Sequence, residues 1–128
     1  MRVSARAVIK ENGKVLLMHR IVVKNGEKRE YYVLPGGGQE GNETLEQTVV
    51  RELKEEMNIN VHPYRYLGQT TFEDSEKHFF ECDIVDGFVS LGGEEAEKNN
   101  PNNFYEPVWL EIEKVDNFNV IDKEFINK

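Results

Sequence analysis

From Met1 to Lys10 the residues alternate like a strand, with the β-rich segment running from Val3 to Ile9, and the next apolar run is Val15-Leu16-Leu17-Met18. Alternation at period two predicts a strand. Asn12-Gly13, between the two runs, predicts a hairpin, because both turn residues must accept a positive φ. A second Asn-Gly, Asn25-Gly26, separates Ile21-Val22-Val23 from Tyr31-Tyr32-Val33 and predicts another hairpin or an ordered loop. Next comes Leu34-Pro35-Gly36-Gly37-Gly38. Three glycines after a proline are expected to leave regular structure and form a loop whose backbone approaches a ligand closely.

The periodicity then changes. Val49, Val50, Leu53 and Met57 recur at helical spacing, and Thr44 with Gln47 three residues later fits a capping box, so a helix is predicted over 45–57. Asn58 can end it by adopting the left-handed conformation. Ile59 to Phe72 reads as a strand interrupted at Pro63, and Phe79 to Leu91 as another. Gly92 to Asn103 reads as a loop, and Val108-Trp109-Leu110 as a short strand. Val115 to Ile126 is a tail with room for a short helix. Strands on both sides of one helix indicate an α+β domain. At 128 residues, one domain over 1–128 is expected.

Composition narrows the partners. The net charge is −8, with 24 carboxylates against 16 scattered cations, which argues against a duplex nucleic-acid partner, since such binding needs clustered Lys and Arg. No apolar run approaches the ~20 residues that span a bilayer, so no membrane association is expected. The N-terminal strand pattern lacks a secretory leader, which makes the cytoplasm the expected location. The lone cysteine, Cys82, lies between Glu81 and Asp83 and reads as a buried or half-buried strand residue rather than a catalytic thiol.

The chemistry lies on the predicted helix. Glu52, Glu55 and Glu56 stand at i, i+3 and i+4, which puts three carboxylates on one side, beside the apolar stripe. Like charges at that spacing repel, and a hard divalent cation relieves the repulsion. A Glu-rich helical face by itself is usually only solvated; the surrounding residues decide. Gly37, five residues, Glu43, seven residues, Arg51-Glu52-Leu53, one residue, Glu55-Glu56, then Met57-Asn58-Ile59 form a 23-residue stretch. It resembles the Nudix box, the signature of the Nudix hydrolase family, at every spacing. The lead-in Tyr32-Val33-Leu34-Pro35-Gly36-Gly37 is similar to the family's usual approach. Asn58 replaces a glycine of the pattern, and Gly41-Asn42 stands where Pro-Gly is common.

The resemblance implies a Nudix-type α/β/α sandwich with a mixed central sheet. It also implies metal-dependent hydrolysis of a phosphoanhydride in a nucleoside diphosphate linked to another moiety: a nucleoside triphosphate, an oxidised nucleotide or a nucleotide sugar. Carried over residue by residue, Glu52, Glu55 and Glu56 with the carbonyl of Gly37 are the expected ligands of Mg2+ or Mn2+. Glu56 and Glu55 are the first candidates for the general base, and Glu43 with Arg51 for a structural salt bridge. Glu94, Glu95 and Glu97, in the late acidic loop, are weaker candidates for an extra ligand or base. His19, His62 and His78 lack ligand spacing. Tyr32, Phe79, Phe80 and Trp109 could stack a base, although strand aromatics are more often core. The partner expected is a small-molecule nucleotide, and the family's habits allow a homodimer. Two other readings remain: a non-catalytic Nudix module that binds a nucleotide metabolite and regulates a partner, and a simple acidic cation-binding domain. All four box glutamates are present, which favours an enzyme over the first. The glycine loop, suited to close phosphate approach, argues against the second.

Overall fold

A computed structural model describes residues 1–128. The strands form two sheets. The first has the order β5-β1-β7-β6, with β1 (Arg2–Val8), β5 (Gly36–Gly38), β6 (Ile59–Phe72) and β7 (Ser75–Gly87). It is mixed: β1 runs parallel to β7 and antiparallel to β5. The second sheet is antiparallel and centred on β3 (Lys14–Lys24). That strand pairs with β2 (Lys10–Glu11), with β4 (Glu27–Val33) and with β8 (Asn103–Glu111).

The central strands bury both faces, which explains why Val15 to Met18 is a continuous apolar run rather than an alternation. Ala5, Ala7, Leu16 and Met18 enter one core with Val49, Leu53 and Met57 of helix α1 (Leu45–Met57). Val8, Val15 and Leu17 enter a second core with Phe79, Val115, Phe125 and Ile126, under two short 3-10 helices, Ile112–Asn117 and Lys123–Phe125. Helical layers therefore cover opposite sides of the strands. Cys82 is buried in the first core.

The expected capping box closes the N-terminus of α1: Thr44 Oγ accepts from the Gln47 N–H, and the Gln47 side chain accepts from the Thr44 N–H. Asn58 ends the helix with φ 59°, in the left-handed region as expected. Both Asn-Gly pairs form turns with positive φ. Four expectations need correction. The strand expected at Phe79 to Leu91 starts earlier, at Ser75, and ends at Gly87, where positive φ turns the chain. Pro63 does not interrupt β6; its neighbourhood is absorbed as register shifts in a strand paired throughout with β7. The loop Gly92 to Asn103 contains a helical turn, α2 (Gly93–Lys98), and the short Trp109 strand is nine residues long.

The fourth correction matters most for the site. Gly36 to Gly38 is not an irregular loop but the edge strand β5, paired with Ser4 to Arg6. Glycine weakens an isolated strand, and its run here signals a break on local grounds. Here the absence of Cβ is what permits the pairing. A Cβ on Gly36, whose φ is 152°, would lie 2.2 Å from the Ala5 carbonyl oxygen. Gly36→Ala is therefore expected to lower stability by more than about 2 kcal/mol, a fall of roughly 5–10 °C in Tm. Thermal unfolding followed by circular dichroism checks this; an unchanged Tm would show that β5 yields without cost.

Candidate active site

The glycine strand and the helix are held together by one guanidinium. Arg51 Nε and Nη2 donate to the two Glu43 carboxylate oxygens at 3.0 and 2.7 Å, a bidentate pair. Nη2 also donates to the Gly38 carbonyl at 2.8 Å, and Nη1 donates to Glu52 at 2.9 Å and Glu55 at 3.2 Å. Glu43 further accepts from the Glu40 N–H and the Thr48 hydroxyl. These bonds, that from Arg51 foremost, hold the Glu43 carboxyl at about 2, well below the ordinary 4.5.

The three helix carboxylates share a side but not an environment. Glu56 is buried, Glu52 is half-buried and Glu55 is exposed. Burial pushes the Glu56 carboxyl up to about 8; Arg6 opposes this, Glu95 and Glu52 add to it, and the Gly36 N–H opposes it. Burial also raises Glu52, against the pull of Arg51. Gly37 is pressed against Glu52: a Cβ there would come within 2.5 Å of the carboxylate.

Glu95 reaches this place through a second close approach. After β7 the chain returns across the C-terminus of α1, where Ser90 N–H donates to the Met57 carbonyl and Gly92 N–H to the Glu56 carbonyl. A Cβ on Gly92 would lie 2.7 Å from the Glu55 carbonyl oxygen, so the glycine lets the backbone pass. Of the three late acidic candidates, Glu95 is half-buried and lines the cleft beside Glu56. Glu94 is exposed, borders the outer acidic mouth and pairs with Lys98 at 3.4 Å, while Glu97 borders neither cavity. That mouth, of about 430 Å³, is lined only by Glu40, Glu52, Glu55, Gly93, Glu94 and Glu95.

This donor set fits a hard divalent cation in kind, since carboxylate oxygens are what such an ion takes and buried Glu56 has only Arg6 and the Gly36 N–H to offset its charge. The carboxylates are not drawn around a common point, and no three of them form a closed ligand group; Arg51 engages Glu52 and Glu55 instead.

Sequence reasoning missed the inner cleft. Arg6, between the core residues Ala5 and Ala7 of β1, donates to the Leu34 carbonyl at 2.8 Å and has a buried Nε without a partner. It lines a cavity of about 260 Å³ with Arg20, Tyr31, Tyr105, Glu56 and Glu95. A cation between two small apolar residues of a strand is the available signal. The aromatic residues proposed for base contact lie elsewhere: Phe79 and Phe80 are buried, Trp109 packs against the first core, and Tyr32 stacks on His19 at 4.4 Å. His19 sits between Glu30 and Glu106, His78 accepts or donates to the Tyr66 hydroxyl at 2.8 Å, and His62 is exposed.

Comparison with known proteins gives one answer at three levels. The family model described as NUDIX domain matches residues 1–128. An ADP-ribose pyrophosphatase of Methanocaldococcus jannaschii is 34% identical over 92 residues, which cover 72% of this chain and 53% of that protein. The match thus spans only about half the length of that relative. Among solved structures, MutT protein from Methanosarcina mazei Go1 superposes with a TM-score of 0.70 at 25% identity, covering 98% of this chain and 90% of that one. A MutT structure from a study of Aliivibrio salmonicida and Vibrio cholerae has a TM-score of 0.73 at 19% identity, with 99% and 97% coverage, and shares the fold.

The Arg51–Glu43 pair yields a pH signature. A carboxyl held below its ordinary value contributes stability that is present above the unfolded pKa and lost as pH falls through the folded one. Glu43→Gln is expected to melt below the wild type at neutral pH, with the gap narrowing between pH 4.5 and about 2. Melting curves across pH 2–7 test this, and a gap of constant size would remove the ion pair as its source.

Proposed function

The chain belongs to the Nudix hydrolase family, and on that premise we propose that it cleaves a phosphoanhydride bond in a nucleoside diphosphate linked to a second moiety, by attack of water on phosphorus. The observation that carries this reading is that Glu95 borders two cavities, an inner cleft it shares with Glu56 and Gly36 and an outer mouth it shares with Glu52 and Glu55. Nucleoside triphosphates, oxidised nucleotides and nucleotide sugars remain the substrate classes. The likeness to an ADP-ribose pyrophosphatase supports the last of these.

Nudix hydrolases generally use divalent metal ions. Here Glu52, Glu55, Glu56 and the Gly37 carbonyl would hold Mg2+ or Mn2+, which neutralises phosphate charge and makes the attacking water more acidic when bound. The residues do the rest. Arg51 fixes the loop and keeps Glu52 and Glu55 from splaying apart. Glu56 is the proposed proton acceptor, with Glu55 as the second candidate. Burial brings Glu56 to about 8 in the metal-free protein, so the carboxyl is largely protonated at neutral pH, and a bound cation would draw that proton off and leave the carboxylate. The absence of side chains at Gly36 and Gly37 lets β5 pack against β1 and against the Glu52 carboxylate.

A panel of nucleoside triphosphates, an oxidised purine nucleotide, ADP-ribose and another nucleotide sugar tests the assignment, with products resolved by chromatography. Nucleoside monophosphate or pyrophosphate should appear with magnesium and vanish with a chelator. Appreciable turnover in metal-free buffer would sink the mechanism.

Glu56→Gln separates chemistry from fold. A carboxyl raised in the folded state subtracts stability as pH climbs from its ordinary value to the raised one, here from 4.5 to about 8. The metal-free variant, resembling the protonated acid, should therefore be more stable than the wild type at pH 7 by at least about 1 kcal/mol. The dominant cause is relief of burial, not only relief of repulsion from Glu52. Turnover should fall at least about a hundredfold. A variant with near wild-type turnover would show Glu56 to be neither ligand nor base.

A further inference from the structure

The hairpin of β3 and β4 runs past the inner cleft, and its charge is opposite to that of the chain. Residues 20–31 hold four cations, Arg20, Lys24, Lys28 and Arg29, against Glu27 and Glu30, in a chain of net charge −8. Alternate strand residues share a face. The face that carries Arg20 at the cleft therefore continues through Val22 and Lys24 on β3, with Tyr31, Arg29 and Glu27 directly across on β4. Lys28 and Glu30 fall on the other face, where Glu30 is engaged by His19 at 2.7 Å.

A second cavity, of about 390 Å³, opens on the first of these faces between Lys24, Arg29 and Tyr31. Tyr31 borders both this cavity and the inner cleft that holds Glu56, so the two adjoin at one ring. Cations flank that ring. The guanidinium carbon of Arg29 stands 5.4 Å from its centroid, and that of Arg20 stands 6.0 Å away. Glu27 is the single carboxylate in the wall of the outer cavity. Neither Lys24 nor Arg29 forms an ion pair with it or with another carboxylate, whereas the surface lysines Lys98, Lys114 and Lys123 each do.

We infer that this outer cavity is a phosphate subsite, in which Arg29 and Lys24 hold a further phosphate carried on the ribose of the nucleotide. The inference rests on the hydrolytic reading above and narrows its substrate class. The two ends of the groove differ in sign. At the acidic mouth, Glu52, Glu55, Glu94 and Glu95 repel phosphate unless a cation intervenes. At the hairpin, fixed cations take an anion directly. The phosphates of the anhydride are committed to the carboxylate end. A ribose phosphate is an anion that a nucleotide carries apart from them, and a guanidinium fork beside an ammonium suits its oxygens.

Calorimetry on the full chain in magnesium compares AMP with adenosine 2′,5′-bisphosphate and adenosine 3′,5′-bisphosphate, none of which holds an anhydride to cleave. At least one bisphosphate should bind about fivefold or more tighter than AMP, the scale of two exposed charge contacts. Arg29→Ser and Lys24→Ser should each reduce that ratio, and the double variant should bring it to about one. Arg29→Glu should invert it. Raising the salt from about 0.05 to about 0.5 M should shrink the ratio in the wild type and leave it flat in the double variant. Equal binding of AMP and both bisphosphates, or an undiminished ratio in the double variant, would overturn the inference. A salt-sensitive loss of the same size for AMP and the bisphosphates would also overturn it, as the mark of general electrostatic attraction. Bisphosphate preference in a chain that hydrolyses no nucleotide would reject the hydrolytic reading and keep the subsite; hydrolysis without that preference would reject the subsite alone.

Discussion

The site depends on how closely a side-chain-free backbone can approach its neighbours. Gly36 lies against the Ala5 carbonyl, Gly37 against the Glu52 carboxylate and Gly92 against the Glu55 carbonyl. Each contact is closer than any Cβ would allow. The contact at Gly37 brings β5 to the helix, the one at Gly92 brings Glu95 to it, and the one at Gly36 seats β5 on β1. Arg51 locks the first arrangement, spending its donors on Glu43, Gly38, Glu52 and Glu55. A lysine has no planar fork with which to do this.

Packing this tight has an electrostatic consequence. It drives Glu56 out of water with only Arg6 and a backbone N–H to oppose the cost. A protein selected for stability alone would place an apolar side chain there. Retaining a buried carboxylate, with Glu52 and Glu95 adding like charge, is the kind of local loss that functional sites carry. The same burial that penalises the metal-free state strengthens any interaction with a cation or a transferring proton, because the local dielectric is low.

The antiparallel sheet contributes the other half of the groove by being longer than its cover. Val15 to Met18 are buried on both faces, but β3 continues to Lys24, and its outer part is only half-buried or exposed. Residues that would be core at one end of the strand become cleft wall at the other. Tyr31, Arg20 and Tyr105 stand at that transition, set side by side by the sheet register, with the Arg20 guanidinium lying on the Tyr105 ring.

The amino-acid sequence by itself determined the helix, its cap and its termination, because capping and period-3.6 burial are local properties of Thr44, Gln47, the Val49-to-Met57 stripe and Asn58. It also determined the two Asn-Gly turns and, through the fixed spacing from Gly37 to Ile59, the family. Tertiary structure alone decided the rest. The glycine run became a strand because β1 offered it partners, and no local preference encodes that. Three glutamates on one helical side became one buried, one half-buried and one exposed, because α2 and β1 cover them unequally. Glu95 was separated from two equivalent neighbours only by the path of the chain across the helix end. Arg6, Arg20, Tyr31 and Tyr105 come from four strands, β1, β3, β4 and β8, and their convergence is a matter of strand register and sheet packing, which a single sequence does not display.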